Sequence, residues 1–267
     1  MKCQTSGVVI PYRGATTLTT MANTDLFSVQ ADDYAKFRPT YPDTLFNYLA
    51  GLCRERKVVW DCATGSGQAA LTLTKYFDRV IGTDISQPLL DKAEKHEKIT
   101  YKLVPAEKTG LDDRSVDLVT VAQALHWFDY DTFFPEVKRL LKPGGIFAAW
   151  GYTTLYTDAP VQKFTDHIHN ELLKDYWAPQ IGILKRQYAD IPFPFEPVQP
   201  PPFEISQALT FEQLIGYMLS WSATQQYIEE KGQDELQRLF GEVRTAWGDL
   251  TQLKPVRWHV FMRVGRA

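Results

Sequence analysis

The sequence has 267 residues, of which 44% are hydrophobic and 23% are charged, a composition typical of a globular protein with a sizeable core. Its formal net charge of −3 and its lack of long lysine or arginine runs argue against a nucleic-acid partner. No apolar run reaches the roughly 18 residues that a membrane-spanning helix needs, so we expect no membrane span. Three cysteines (Cys3, Cys53 and Cys62) are too few for a disulfide framework or a zinc site, so we predict a cytoplasmic protein without a metal.

The N-terminal residues 1–21 precede the first organised pattern in the chain. Their apolar run 8–10 is too short for a signal peptide and is followed by Pro11, so we predict a peripheral or poorly ordered extension, with a short targeting segment as the alternative. Residues 22–267 are predicted to form one domain. Its parts are a core, a lid insertion and a segment that completes the sheet, at about 32–151, 152–205 and 206–267.

Between about residues 40 and 150, short apolar runs typical of strands alternate with helical periodicity. The predicted strands are 58–61, 80–84, 99–104, 116–122 and 146–150. Helical patterns begin near Pro42, Ala69, Ser86 and Asp131. Strands separated by helices indicate an α/β fold, in which right-handed crossovers connect the strands of a parallel sheet.

The second half of the chain has a different pattern. Six prolines between Pro192 and Pro202 exclude a regular helix, and the phenylalanines among them predict a packed loop or lid. Thr210 and Gln213 form a capping-box pattern before an apolar helical stripe, and a second stripe runs from Leu236 to Leu250. Residues 257–264 alternate as a final strand, which we expect to complete the same sheet.

A glycine-bearing turn follows the first predicted strand. The strand ends at Asp61, and Gly65 and Gly67 then let the backbone turn sharply and approach a ligand closely. Asp84 ends the second strand, where an acid accepts hydrogen bonds from ribose hydroxyls. A carboxylate at Asp61 would repel a pyrophosphate but attract the ammonium group of S-adenosylmethionine (SAM). The pattern therefore favours SAM, and a nucleotide-dependent oxidoreductase is kept as an alternative.

The run 61–67 resembles motif I of class I SAM-dependent methyltransferases, with Ala63 at the first of three alternating glycine positions. The further motifs of that family are matched in order by residues 80–84, 106–107, 117–128 and 141–145. The resemblance covers about residues 32–151. It implies a Rossmann-like, doubly wound sheet of seven strands, mostly parallel, with an antiparallel last strand.

A narrower resemblance joins residues 34–42 with residues 124–128. Both are similar to the trans-aconitate methyltransferase-like branch (methyltransferase type 11), whose members methylate small molecules, carboxylates among them. The resemblance implies that Tyr34 and Arg38 close over the methionine carboxylate of SAM. The cofactor-binding residues that the two resemblances imply are Tyr34, Arg38, Asp61, Ala63, Gly65, Gly67, Asp84, Ile85, Ala106, Glu107 and Gln123.

The acceptor of the methyl group is predicted to bind after the fourth strand and under the lid. The candidate pocket residues are His126, Trp127, Tyr152, Tyr156, Trp177 and Trp221. His126 is the candidate catalytic base because the ordinary pKa of histidine lies near neutrality; the alternative is a packed histidine that orients the loop. A carboxylate acceptor would need no base, whereas a phenol, thiol or amine would. A SAM-binding regulatory protein without turnover is the second hypothesis, and the sequence leaves the acceptor and the oligomeric state open.

Overall fold

The computed structural model describes residues 37–267, so the predictions for residues 1–21 and for Tyr34 lie outside the described residues. Within residues 37–267 eight strands form one sheet, in the order β3-β2-β1-β4-β5-β8-β6, and β7 also pairs with β8. Their bounds are β1 Val58–Cys62, β2 Arg79–Asp84, β3 Ile99–Leu103, β4 Val116–Ala122, β5 Leu141–Tyr156, β6 Glu196–Val198, β7 Phe203–Leu209 and β8 Lys254–Arg266.

Strands β1 to β5 pair in parallel, and β8 runs antiparallel to β5, β6 and β7. The predicted Rossmann-like sheet, mostly parallel with an antiparallel last strand, is therefore confirmed. In the described part of the chain the sheet has seven positions but eight strands, because β6 and β7 share the edge beside β8. Glu196 pairs with Arg266 at one end of β8, and Leu209 pairs with Lys254 at the other.

The prediction of a loop or lid between Pro192 and Pro202 is wrong where the chain forms β6. Proline has no backbone N–H to donate to a sheet, but an edge strand tolerates it, as Pro197 shows within β6. The consecutive prolines 200–202 then interrupt the edge between β6 and β7. The lid function of the remaining part of 152–205 stays a prediction.

Helices cover both faces of the sheet. Among residues 37–267 they are α1 Asp43–Leu52, α2 Gln68–Leu73, α3 Gln87–Asp91, α4 Tyr130–Leu140, α5 Ala159–His167, α6 Ile181–Lys185, α7 Phe211–Leu219, α8 Ser222–Lys231 and α9 Asp234–Trp247. Residues of β5 contribute to two separate cores: Trp150 packs on Phe46 of α1, in the core that also includes α9, whereas Phe147 packs on Phe133 and Phe134 of α4. This division is what a sheet covered on both faces requires.

The capping box predicted at α7 is present. The Gln213 N–H donates to the Thr210 Oγ1 at 3.2 Å, and the Thr210 N–H donates to the Gln213 Oε1 at 2.8 Å. The second predicted stripe is α9, in which Leu236, Phe240 and Trp247 are buried. Among the helices described, none combines the length and the apolarity needed to cross a membrane.

The order of the strands places a cleft at the carboxyl ends of β1 and β4, in the middle of the sheet. The chain leaves β1 toward β2 on one side, and it leaves β4 toward β5 on the other. The loops that follow β1 and β4 therefore diverge at the carboxyl ends of these two neighbouring strands. Such a switch point is where doubly wound sheets bind ligands.

Candidate active site

The turn after β1 is held open by its backbone. The Thr64 N–H donates to the Thr83 carbonyl and the Gly67 N–H donates to the Thr64 carbonyl, both at 2.9 Å. Gly67 caps α2 with φ +80°, and a Cβ there would overlap the Tyr101 hydroxyl. Gly65 has φ +57°, and a Cβ there would stand in open space. The turn therefore leaves room for a ligand on the Gly65 side.

Ala63 has the same left-handed conformation without being a glycine. Its φ is +53°, at the position where motif I usually has its first glycine. A Cβ in this region costs about 1–2 kcal/mol, so the departure noted in the sequence is also a local strain.

Asp61 is the buried acid of this turn, with 1% of its surface exposed. Its carboxylate accepts hydrogen bonds from the Thr64 hydroxyl at 2.5 Å and from the Thr120 hydroxyl at 2.8 Å. Burial raises the pKa of Asp61 to about 6, although these hydrogen bonds and one from the Ala70 backbone oppose the rise. A cation bound beside Asp61 would favour its ionised form.

Asp84 joins the ends of β1 and β2. One carboxylate oxygen accepts the Gly65 N–H at 2.8 Å and the other accepts the Ser86 N–H at 2.9 Å. Each oxygen keeps a lone pair for a further donor such as a ribose hydroxyl. Ile85, which follows, has 77% of its surface exposed, as an apolar residue that lies against a flat ligand would in the free protein.

A cleft of about 370 Å³ lies beside this turn. Of the residues implied for the cofactor, Arg38, Asp61, Ala63, Gly65 and Gln123 line it. The others within residues 37–267 lie at or after the carboxyl ends of β1, β2 and β3, outside the cleft wall: Gly67, Asp84, Ile85, Ala106 and Glu107. The loop of Ala106 follows β3, and its Val104 N–H donates to the Asp84 carbonyl at 3.1 Å. Asp84 and Gly65 thus connect the two groups.

Gln123 stands at the end of β4 in the left-handed region, with φ +56°. Its backbone N–H donates to the Trp150 carbonyl at 2.9 Å, and its side-chain Nε2 donates to the Tyr152 carbonyl at 3.0 Å. Its Oε1 is buried and finds no hydrogen-bond partner in the part of the chain that the structure describes. A buried acceptor of this kind in the wall of a cleft is suited to an N–H or O–H of a ligand.

Arg38 brings a positive charge to the same wall. Its Nη2 donates to the Ser220 carbonyl at 3.0 Å. Burial raises the pKa values of Tyr41 and Tyr217, which line the same cleft, so both phenols keep their protons near pH 7. A guanidinium beside two phenols is a set of donors suited to a carboxylate.

His126 and Trp127 lie in the 3₁₀ turn after β4, and both line the cleft. His126 is buried, and burial lowers its pKa to about 4, so its imidazole is neutral near pH 7. Its Nδ1 is 3.2 Å from the Tyr188 hydroxyl. Trp127 keeps 53% of its surface exposed at the mouth of the cleft.

The far half of the cleft is aromatic. The His169 ring lies 4.7 Å from Trp177 and 5.3 Å from Trp221, and the two indoles are 5.8 Å apart, between centroids. The Lys185 Nζ is 5.9 Å from the Trp177 centroid. His169 lies in a π-helical turn, Ile168–Leu172, a feature that is frequent at functional sites.

The predicted pocket residues are therefore divided. Five of them line the cleft: His126, Trp127, Tyr152, Trp177 and Trp221. Tyr156 instead packs against His259, outside the cleft wall.

The sequence did not predict several other residues of the cleft wall, among them Tyr41, His169, Ile181, Leu184, Lys185 and Tyr217. Tyr41 belongs to the motif 34–42 and could have been predicted from it, but no pattern in the sequence marks the others.

Within residues 37–267, no group of three or more His, Cys, Asp or Glu side chains is placed to hold a metal ion.

Comparison with known proteins extends the resemblance to the whole fold. A family model described as a methyltransferase domain matches residues 60–149. A Dictyostelium discoideum protein named as a methyltransferase is 36% identical over 247 residues, covering 89% of this chain and 93% of that protein. A solved structure from Anaeromyxobacter dehalogenans, titled a type II methyltransferase, has a TM-score of 0.81 at 37% identity, over 86% of this chain and 97% of that chain. The chain belongs to the class I SAM-dependent methyltransferases.

The relatives of this methyltransferase include a Saccharomyces cerevisiae protein named as SAM-dependent. It is 27% identical over 225 residues, covering 71% of this chain and 77% of that protein. The residues of the cleft fit SAM. Asp61 is a buried carboxylate, which would pair with its ammonium group, and the open space beside Gly65 would admit its methionine part. The Gln123 Oε1 has no donor among the described residues and would accept a further hydrogen bond.

Proposed function

We propose that this methyltransferase transfers the methyl group of SAM to a carboxylate oxygen of a small organic acid. The observation that carries the proposal is the charge of the cleft wall. Among its described residues Asp61 is the one carboxylate, and it lies at the glycine turn, whereas Lys185 lies in the aromatic half. An acid placed between the aromatic rings would meet a cation and no like charge.

The proton chemistry of the cleft also favours an acceptor that is already ionised. A carboxylate is deprotonated near neutral pH and needs no base, whereas a phenol or an amine does. Burial lowers the pKa of His126 to about 4, which makes this imidazole a weak proton acceptor at pH 7. Burial also lowers the pKa of His169.

In this proposal the chain mainly positions the acceptor and excludes water. SAM supplies an electrophilic methyl group on its sulfonium. Arg38, Asp61 and Gln123 hold the donor side of the cleft, and the indoles of Trp177 and Trp221 hold the body of the acceptor. Fixing the two reactants in one orientation is worth several kcal/mol in reactions of this kind, of the order of 7–11 kcal/mol at best.

The proposal is tested by incubating the protein with SAM and matched acceptors. One set contains planar mono- and dicarboxylic acids, and the other contains phenols and amines of the same ring size. We expect S-adenosylhomocysteine and a base-labile methyl ester from the acids alone. Methylation of a phenol oxygen or an amine nitrogen would contradict the carboxylate assignment. Binding of SAM by calorimetry with no product from any acceptor would favour the regulatory alternative.

A further inference from the structure

A strained turn behind the cleft holds one tyrosine in place. Gln187 has φ +55° and Tyr188 has φ +60°, so two consecutive residues with a Cβ occupy the left-handed region. The Nη1 of Arg263 donates to the Tyr188 carbonyl at 2.7 Å and to the Ile191 carbonyl at 2.6 Å. Strain of this kind persists only where the surroundings enforce it, and it concentrates at functional sites.

The strained turn places the Tyr188 hydroxyl against His126. The Tyr188 ring is fully buried and packs on Phe261 at a centroid distance of 5.0 Å. Its plane is within 28° of the His126 plane, and its hydroxyl lies 3.2 Å from the His126 Nδ1. His126 lines the cleft, so Nε2 is the ring nitrogen left for a ligand there.

The hydrogen bonds around the Tyr188 hydroxyl decide which partner donates. Burial raises the pKa of Tyr188 far above its ordinary value, so its hydroxyl oxygen keeps the phenol proton at neutral pH. If the His126 Nδ1 also carried a proton toward that oxygen, the buried phenol proton would lose the acceptor that Nδ1 provides. All groups are satisfied when Tyr188 donates to Nδ1, and the neutral imidazole then carries its proton on Nε2.

We propose that Tyr188 is a positioning residue that fixes His126 as the Nε2–H tautomer, and that His126 presents this N–H to the carboxylate of the acceptor. The first part concerns the free protein, and the second part rests on the proposed function. An Nε2 that already carries a proton cannot remove one from the acceptor. His126 thus binds the acid by a hydrogen bond and does not act as a base.

His169 provides an internal control, because its hydrogen bond implies the opposite tautomer. Its Nδ1 lies 2.8 Å from the Asn170 Oδ1, an oxygen that can only accept. His169 therefore carries its proton on Nδ1. The two histidines of the cleft should differ in which nitrogen is protonated.

The tautomers are tested by ¹⁵N NMR of histidine-labelled protein at pH 7 without ligands, where protonated and unprotonated ring nitrogens resonate far apart. Signals are assigned with His126→Gln and His169→Gln. We expect an unprotonated Nδ1 at His126 and an unprotonated Nε2 at His169, and in Tyr188→Phe a mixture of tautomers at His126 alone. A protonated Nδ1 at His126 in the wild type overturns the proposal, even if Tyr188→Phe fails to fold.

The donor role is tested by a pair of substitutions. The amide of His126→Gln keeps an N–H near the position of Nε2, whereas His126→Leu keeps only the apolar volume. We expect His126→Leu to raise the KM of the acid about tenfold to a hundredfold, the effect of one hydrogen bond to a charged group, and His126→Gln to restore most of that loss. The kcat of both should change little. Equal loss of kcat in both variants would indicate a base and overturn the donor role. If no acid is methylated by the wild type, the proposed function fails while the NMR result still stands.

Discussion

The affinity for SAM should depend on the ionisation of Asp61, and pH is the perturbation that tests this. The pKa of Asp61 is raised to about 6 in the ligand-free protein. An α-ammonium group with an ordinary pKa of about 7.7–8.0 stays protonated below pH 7. Between pH 5 and pH 7 the charge of the ligand therefore hardly changes, while that of Asp61 does.

The magnitude follows from the fraction of ionised Asp61. A group with a pKa of about 6 is about 90% ionised at pH 7 and about 10% ionised at pH 5. Because the ammonium group binds the ionised form, the apparent Kd for SAM should rise about tenfold from pH 7 to pH 5. Near pH 6, binding should release about half a proton.

The assay is isothermal titration calorimetry at several pH values, in buffers of different ionisation enthalpy, with circular dichroism to confirm folding. Asp61→Asn is the control, since it keeps the shape of the side chain and removes the titration. We expect the variant to bind SAM at least about tenfold more weakly at pH 7 and to show a flat profile. A wild-type Kd that changes less than about twofold, or a variant that follows the wild type, would refute the reasoning.

The same pKa predicts a cost to stability. The folded-state pKa of Asp61 lies above the unfolded value of about 3.9, so its contribution favours folding below pH 3.9 and is lost as pH rises through about 6. The loss amounts to at most about 3 kcal/mol. Ligand-free Asp61→Asn should therefore have a higher Tm than the wild type at pH 7.5 although it binds SAM more weakly. A lower Tm would show that the hydrogen bonds to Thr64 and Thr120 outweigh the burial of the charge.

Three further substitutions have defined outcomes. Ala63→Gly should raise the free energy of unfolding in urea by about 1 kcal/mol, because the left-handed backbone at φ +53° no longer carries a Cβ; no gain would contradict the strain. Glu136 pairs with Arg139 and also accepts hydrogen bonds from Thr109, and these contacts lower the pKa of Glu136 to about 2; Glu136→Gln should lower the free energy of unfolding in urea by about 2 kcal/mol at pH 7. The wild-type contribution is present above the unfolded pKa of about 4.3 and is lost as pH falls through about 2, so the gap between the two proteins should close in acid. Lys185→Met should raise the KM of an acidic acceptor about tenfold and leave the Kd of SAM unchanged, with Lys163→Met as the control outside the cleft; a change in the Kd of SAM would place Lys185 on the donor side.

The first half of the fold was predictable because buried parallel strands leave continuous apolar runs. Val116–Ala122 comes close to such a run, interrupted by Asp117 and Thr120, and it forms β4 with the predicted bounds. The capping box at Thr210 was predictable for a similar reason, since a local pattern of residue types fixes a local hydrogen-bond geometry. Motif I located the glycine turn, and the structure gives Gly65 and Gly67 the positive φ that their residue type allows.

The edge of the sheet and the aromatic half of the cleft were not predictable in this way. Strand β6 has three residues, and its pairing is decided by residues 264–266 of β8, which lie more than 60 positions away. Lys185 and His169 belong to short helical turns whose position depends on packing against β5 and Trp221. Neither residue has a neighbour in sequence that marks it as part of a site.

Residues with a strained backbone occur both in the predicted glycine turn and in the part of the cleft that the sequence did not predict. Four non-glycine residues with positive φ lie in or directly behind the cleft: Ala63 after β1, Gln123 after β4, and Gln187 with Tyr188 behind His126. Motif I marks the position of Ala63, where it usually has a glycine, but residue type gave no sign of the others, because glutamine and tyrosine rarely adopt this conformation. Ala63 and Gln123 line the cleft itself, and the Tyr188 hydroxyl lies 3.2 Å from the Nδ1 of His126, which lines it too. We therefore expect Ala63→Gly to stabilise the fold without lowering the Kd of SAM, and Tyr188→Phe to change the KM of the acceptor more than the Kd of SAM.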